Sequence, residues 1–146
     1  MTYLTQADVR ETSIFTRLPD HFRSPDRNNV WAAANRGGQL TDSFLEGPIW
    51  HPSGCLYLTD IPYGRIFRVD MAGNWDLIVQ YDGEPNGMKL VDPDTLLITD
   101  YHHGLMKLSL KTQDVTPWLP RRHSESFRGV NDLTPDSRGN LYFTDQ

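Results

Sequence analysis

Three oxygen-bearing side chains, Glu46, Asn86 and Asn131, each stand 14 residues before an aspartate that closes an apolar-Thr-Asp triplet. The triplets are Leu58-Thr59-Asp60, Ile98-Thr99-Asp100 and Phe143-Thr144-Asp145. Six places before each Asp lies a turn residue (Gly54, Asp94, Gly139), and four places before it a leucine (Leu56, Leu96, Leu141). The three stretches align without a gap. As repeated structural units they place Glu46, Asn86 and Asn131 at equivalent positions, and a ring of such units aims all three at one point. Carboxylate and amide oxygens are the donors that hard cations such as Ca²⁺ or Mg²⁺ prefer. The single cysteine, Cys55, excludes an internal disulfide and a multi-cysteine metal site, and its start-of-strand position predicts a packed, inert thiol. His102 and His103 lack a third nitrogen ligand at zinc spacing, and one of them is expected to contact substrate hydroxyls. Asp60, Asp100 and Asp145 read as scaffold, accepting backbone N–H bonds in the turn that follows each strand. Ser43 and Ser53 lack the Gly-x-Ser-x-Gly setting of a serine hydrolase.

The elements that must carry these residues are short strands. Between residues 48 and 81 the texture predicts strands at Pro48–Trp50, Cys55–Thr59, Arg65–Val69 and Trp75–Tyr81, punctuated by His51-Pro52-Ser53-Gly54, Pro62-Tyr63-Gly64 and Ala72-Gly73. The cycle restarts at Asn86 with strands at Asn86–Val91, Thr95–Thr99, Leu105–Leu110 and Asp114–Leu119, and opens a third time at Val130 after a linker, Pro120–Gly129. Four short antiparallel strands per repeat of about 40–50 residues is the pattern of a β-propeller blade. The expected fold is all-β, with blades at 45–82, 83–123 and 129–146. The third is only half present, so the chain reads as a piece of a longer protein whose last blade face is left open. Residues 1–44 form a partly irregular N-terminal arm, in which Val30–Ala34 fits either a strand or one turn of helix.

The 146 residues carry a formal net charge of -5, which offers no basic field for nucleic acid. No apolar run is long enough to cross a membrane, and the first 20 residues lack a signal-peptide pattern, so the expected location is cytoplasmic.

The motifs Phe44-Leu45-Glu46-Gly47-Pro48-Ile49-Trp50, Thr59-Asp60-Ile61-Pro62-Tyr63-Gly64-Arg65-Ile66, Glu84-Pro85-Asn86-Gly87-Met88 and Gly129-Val130-Asn131-Asp132-Leu133 resemble the gluconolactonase-like, senescence-marker-protein-30 family, in family order and spacing. The resemblance implies a six-bladed propeller, of which this chain holds about two and a half blades. It also implies one divalent cation on the axis, Ca²⁺ in first place with Mg²⁺, Zn²⁺ or Mn²⁺ as alternatives, and hydrolysis of sugar lactones. Glu46 matches the family's metal-binding Glu, and Asn131 matches an Asn that binds the metal or the substrate beside it. Asn86, Asn131, Tyr63 and His103 are the expected substrate contacts. The remaining ligands and the general base are expected beyond Gln146. The alternative is a non-catalytic propeller that binds a small ligand or a protein on the same face, because many propellers only bind.

Overall fold

The computed structural model describes residues 8–23 and 25–146. The first seven residues of the expected arm, and Ser24, lie outside the described residues. The arm holds a 3-10 turn, Asp20–Phe22, and one short helix, α1 (Val30–Asn35). Helix rather than strand forms at Val30 because Asn29 caps it: its side-chain oxygen accepts from the Ala32 N–H at 2.8 Å.

Two four-stranded antiparallel sheets follow. The first contains β1 (Leu45–His51), β2 (Cys55–Asp60), β3 (Arg65–Asp70) and β4 (Trp75–Gln80) in that order. The second contains β5 (Pro85–Asp92), β6 (Thr95–Asp100), β7 (Gly104–Ser109) and β8 (Val115–Leu119). The stretch expected to be a plain linker folds as a small hairpin, β9 (Arg121–Arg122) with β10 (Glu125–Ser126). Its turn is made by His123 at φ 54°, so no glycine announced it. The third unit is the pair β11 (Val130–Pro135) and β12 (Leu141–Asp145).

The sheets stack face to face. One core cluster joins Cys55, Tyr57 and Ile66 of the first sheet to Met88, Leu96, Ile98, Met106 and Leu108 of the second. Strand β6 is buried along its whole length, because both its faces are covered. That is why it reads Leu96-Leu97-Ile98 as a continuous apolar run, whereas β3 exposes Arg68 between the buried Phe67 and Val69. Cys55 is buried in this cluster, as its sequence setting implied. The architecture is that of a β-propeller, with two four-stranded blades and the first two strands of another. The first strands β1, β5 and β11 lie side by side.

The repeat is exact at the backbone. The N–H of Ile61 donates to the Phe44 carbonyl at 3.1 Å, that of Tyr101 to Glu84 at 3.1 Å, and that of Gln146 to Gly129 at 3.2 Å. These three bonds tie each Thr-Asp end to the residue two before Glu46, Asn86 or Asn131. Among the described residues, no helix is long and apolar enough to cross a membrane.

Candidate functional site

Each first strand carries one extra residue at the same place. The register passes from Glu46↔Thr59 to Ile49↔Tyr57, from Pro85↔Asp100 to Met88↔Ile98, and from Val130↔Asp145 to Leu133↔Phe143. Such a bulge re-aims side chains that regular pleating would hold apart. Asn86-Gly87 and Asn131-Asp132, dipeptides that suit free turns, are therefore bulged strand.

Two features press the bulges together. Gly47 has φ 53°, and a Cβ there would sit 2.0 Å from the Asn86 carbonyl oxygen; a Cβ on Gly87 would sit 2.5 Å from Asp132 Oδ1 and 3.0 Å from the Asn131 carbonyl oxygen. Only glycine allows backbones so near one another. The repeated threonines then bolt neighbouring blades. Thr59 Oγ1 donates to the Asn86 carbonyl at 2.8 Å, and Thr99 Oγ1 donates to the Asn131 carbonyl at 2.6 Å. Thr99 Oγ1 also accepts from the Gly87 N–H at 2.7 Å. Both hydroxyl-bearing side chains are fully buried.

The result is a cavity of about 160 Å³ lined by Glu46, Asn86 and Asn131 together with Lys89 and Asp132. The three residues singled out by spacing line one space. All three are half-buried, and no side-chain hydrogen bond of theirs forms among the described residues, so their oxygens are available to a ligand. Lys89 and Asp132 were not foreseen. The bulge turns Lys89 inward, and Asp132 stands where the first two units carry glycine. A larger groove of about 420 Å³, lined by Leu90, Trp118 and Leu141, lies at the opposite end of the strands. It is mainly apolar and holds none of the candidate residues.

The structure does not bring Tyr63 or His103 into the cavity lining. Tyr63 faces the arm: its hydroxyl donates to the Thr41 carbonyl and accepts from the Asp26 N–H at 3.2 Å. Its ring lies under the Arg65 guanidinium, 4.5 Å away. His103 Nε2 contacts the Asp82 carbonyl. His102, in contrast, keeps half of its side chain exposed and places Nε2 3.4 Å from Glu84 Oε1. Burial pushes the Glu84 carboxyl above the usual carboxylate range, against the opposing pull of His102.

The strand-end aspartates are structural, each in its own way. Asp100 Oδ1 accepts from the N–H groups of His102 and His103 at 2.9 Å each, the following-turn pattern expected for all three. Its Oδ2 accepts from the Tyr81 hydroxyl at 2.7 Å, and Tyr81 is itself raised well above the usual phenol range, first by burial and then by this carboxylate. Asp60 and Asp145 instead accept from the segment leading into their own blade. Phe44 N–H serves Asp60 at 2.7 Å, and the N–H groups of Arg128 and Gly129 serve Asp145 at 2.8 Å each. Asp60 is also paired with Arg65, whose Nη1 donates to the Phe22 carbonyl at 2.7 Å and so binds the arm to the first blade.

Comparison with known proteins agrees with the propeller architecture. The profile of the SMP-30/gluconolactonase/LRE-like region matches residues 44–146. The chain belongs to that family. No curated protein matches it. Among solved structures, a gluconolactonase from Xanthomonas campestris superposes with a TM-score of 0.64 at 19% identity, over 83% of this chain and 43% of that one. A second protein, assigned as a gluconolactonase, gives 0.63 at 17% identity over 70% of this chain and 36% of its own. A virginiamycin B lyase from Staphylococcus aureus gives 0.56 at 20% identity, over 73% and 36%. The chain thus spans well under half the length of each, and at these identities the likeness is one of fold.

Proposed function

We propose that the cavity between the blade openings belongs to the active site of a divalent-cation-dependent hydrolase of sugar lactones. The observation that carries this reading is the convergence of Glu46, Asn86 and Asn131 on one cavity. Among the described residues there is no cluster of three or more His, Cys, Asp or Glu side chains fit to hold a metal. The donor set is instead one carboxylate with neutral amide oxygens, which fits a hard cation, Ca²⁺ first, and not a thiolate- or imidazole-seeking one. Glu46 and Asn131 would hold it. When bound, a divalent cation supplies Lewis-acid polarisation of a carbonyl and lowers the pKa of water.

The chain's own groups account for the rest of the binding. The Asn86 amide donates to, and accepts from, substrate oxygens. The Lys89 ammonium receives the carboxylate that ring opening releases. Gly47 and Gly87 let the neighbouring blade openings approach closely enough to bring these groups round one cavity. Hydrolysis adds water to the lactone carbonyl and breaks the ring C–O bond, giving a hydroxy acid. The base that takes the water proton is assigned to no residue of this chain. The lyase superposition favours a second reading, in which the same face serves another chemistry or binding alone, because one fold hosts several.

Two measurements test the proposal. Calorimetric titration with Ca²⁺ should give a single site that Glu46→Gln abolishes. Hydrolysis of an aldonolactone should stop on chelation, return with Ca²⁺, and fall about 10²-fold or more in Glu46→Gln. Ca²⁺ binding and a hydrolysis rate both unchanged in that variant would refute the metal mechanism.

A further inference from the structure

Asn86-Gly87 is the only Asn-Gly pair in the chain. In an unconstrained chain this pair is the asparagine context most open to cyclisation, because glycine puts no side chain beside the attacking backbone nitrogen. The Gly87 nitrogen bonds to Asn86 Cγ, and the Cγ–NH₂ bond breaks. Ammonia leaves with the proton that the Gly87 nitrogen gives up. Water then opens the five-membered imide at one of its two carbonyls, giving aspartate or isoaspartate. The balance is amide and water to acid and ammonia, with no oxidant or reductant.

The residue types at this position do not remove the lability. A Cβ on Gly87 would sit 2.5 Å from Asp132 Oδ1, so glycine is required where the blades meet. The Asn86 amide lines the cavity, half-buried, and forms no side-chain hydrogen bond among the described residues, so no partner shields its Cγ.

What is held is the peptide unit between the two residues. Its carbonyl, that of Asn86, accepts from Thr59 Oγ1 of the first blade at 2.8 Å. Its N–H, that of Gly87, donates to Thr99 Oγ1 of the second blade at 2.7 Å. Both threonines are fully buried, and the Thr99 hydroxyl is anchored in turn on the Asn131 carbonyl at 2.6 Å. Imide formation needs the plane of this peptide to turn toward the Asn86 side chain and the Gly87 N–H to lose its proton. Turning breaks both bonds, and an N–H given to a buried hydroxyl has no water beside it to take the proton.

We infer that Asn86-Gly87 is a latent deamidation site, held shut by a clamp of Thr59 and Thr99. The clamp then has a chemical role besides joining blades: it keeps a neutral amide, and not a second carboxylate beside Glu46, at this point of the cavity. The inference goes beyond the lactone reading and does not rest on it, because it concerns the chain's own covalent chemistry.

The full chain is incubated at mildly alkaline pH and sampled over weeks. Acid formed at Asn86 is counted by peptide mass mapping with enzymatic detection of isoaspartate. A synthetic peptide of residues 83–92 gives the unclamped rate. Each hydrogen bond slows local opening about fivefold, so the folded chain should convert about 25-fold more slowly than the peptide. Thr59→Val should regain about fivefold, and Thr99→Val at least as much. Gly54→Ala is the matched control. It strains a turn at φ 86° at the opposite end of the strands, costs stability comparable to that lost in Thr59→Val, and should leave the rate unchanged. Far-UV circular dichroism checks that each variant is folded; if Thr99→Val is not, Thr59→Val against Gly54→Ala carries the test. A folded-chain rate equal to that of the peptide, no acceleration in Thr59→Val, or equal acceleration in Gly54→Ala overturns the clamp. Acceleration confined to the threonine variants supports it, whatever the Ca²⁺ titration shows.

Discussion

Thr59, Thr99 and Thr144 occupy one position of the repeat but carry different loads, so Thr→Val at each should have a graded effect. The hydroxyl of Thr99 takes the Gly87 N–H at 2.7 Å and gives its proton to the Asn131 carbonyl at 2.6 Å, with the Gly87 carbonyl 3.1 Å away. Valine keeps the shape and removes every bond, leaving a donor and an acceptor unpaired in a fully buried setting. Each orphaned group costs about 1–3 kcal/mol, so Thr99→Val should lose roughly 3 kcal/mol. Thr59 makes one such bond, to the Asn86 carbonyl at 2.8 Å, and its loss should be about 1–1.5 kcal/mol. Thr144 is exposed and accepts one bond, from the Asp132 N–H at 3.1 Å; its replacement should stay within about 0.5 kcal/mol. Urea unfolding resolves these steps. With a slope near 2 kcal/mol/M, Thr99→Val should lower the midpoint by about 1.5 M. It should also weaken Ca²⁺ binding more than Thr59→Val does, because it frees the backbone that presents Asn131. Equal effects at Thr59 and Thr99, or a larger one at Thr144, would refute the idea that these hydroxyls bolt blade to blade.

Glycine substitutions should divide by surroundings. Gly54→Ala, at φ 86° with nothing within 4 Å of the added Cβ, should cost about 1–2 kcal/mol. Gly47→Ala should exceed it by about 2 kcal/mol or more in urea unfolding, because its Cβ meets the Asn86 carbonyl oxygen. Arg65→Met strands the buried Asp60 and cuts the tie to Phe22. It should destabilise by about 3–5 kcal/mol and speed proteolysis within residues 8–44. Asp70 and Asp136 hold equivalent turns, each through an asparagine four residues on and nearby N–H groups, and both carboxyls lie below the usual carboxylate range for that reason. A depressed folded pKa contributes stability above the unfolded value of 3.8, lost as pH falls through the folded value. The destabilisation by Asp70→Ala should accordingly be present at pH 7 and fade below about pH 4 in pH-dependent unfolding.

What could be read beforehand was whatever repeats. The interval of 14 residues from Glu46, Asn86 or Asn131 to its aspartate located the strands, the blades and the common cavity, because a ring converts equal sequence position into spatial convergence. What could not be read depends on partners distant in the chain. The repeated place of Thr59 and Thr99 was visible, but their acceptors, Asn86 and Asn131, belong to the next blade. Lys89 entered the cavity through a bulge that strict alternation does not foresee. Tyr63 had the right loop for a substrate contact, yet a hydroxyl within reach of Thr41 and Asp26 serves the arm. The pairing of His102 with Glu84 crosses 18 residues and no local pattern signals it.

Mn²⁺ titration, read by the side-chain amide NMR signals, tests the convergence of the blade openings most directly. The account predicts that the NH₂ signals of Asn86 and Asn131 broaden together at the lowest Mn²⁺ concentrations, and that Glu46→Gln abolishes the broadening of both. Early broadening of only one of the two, or broadening that persists unchanged in Glu46→Gln, would contradict a shared ion at the meeting point of the three strands.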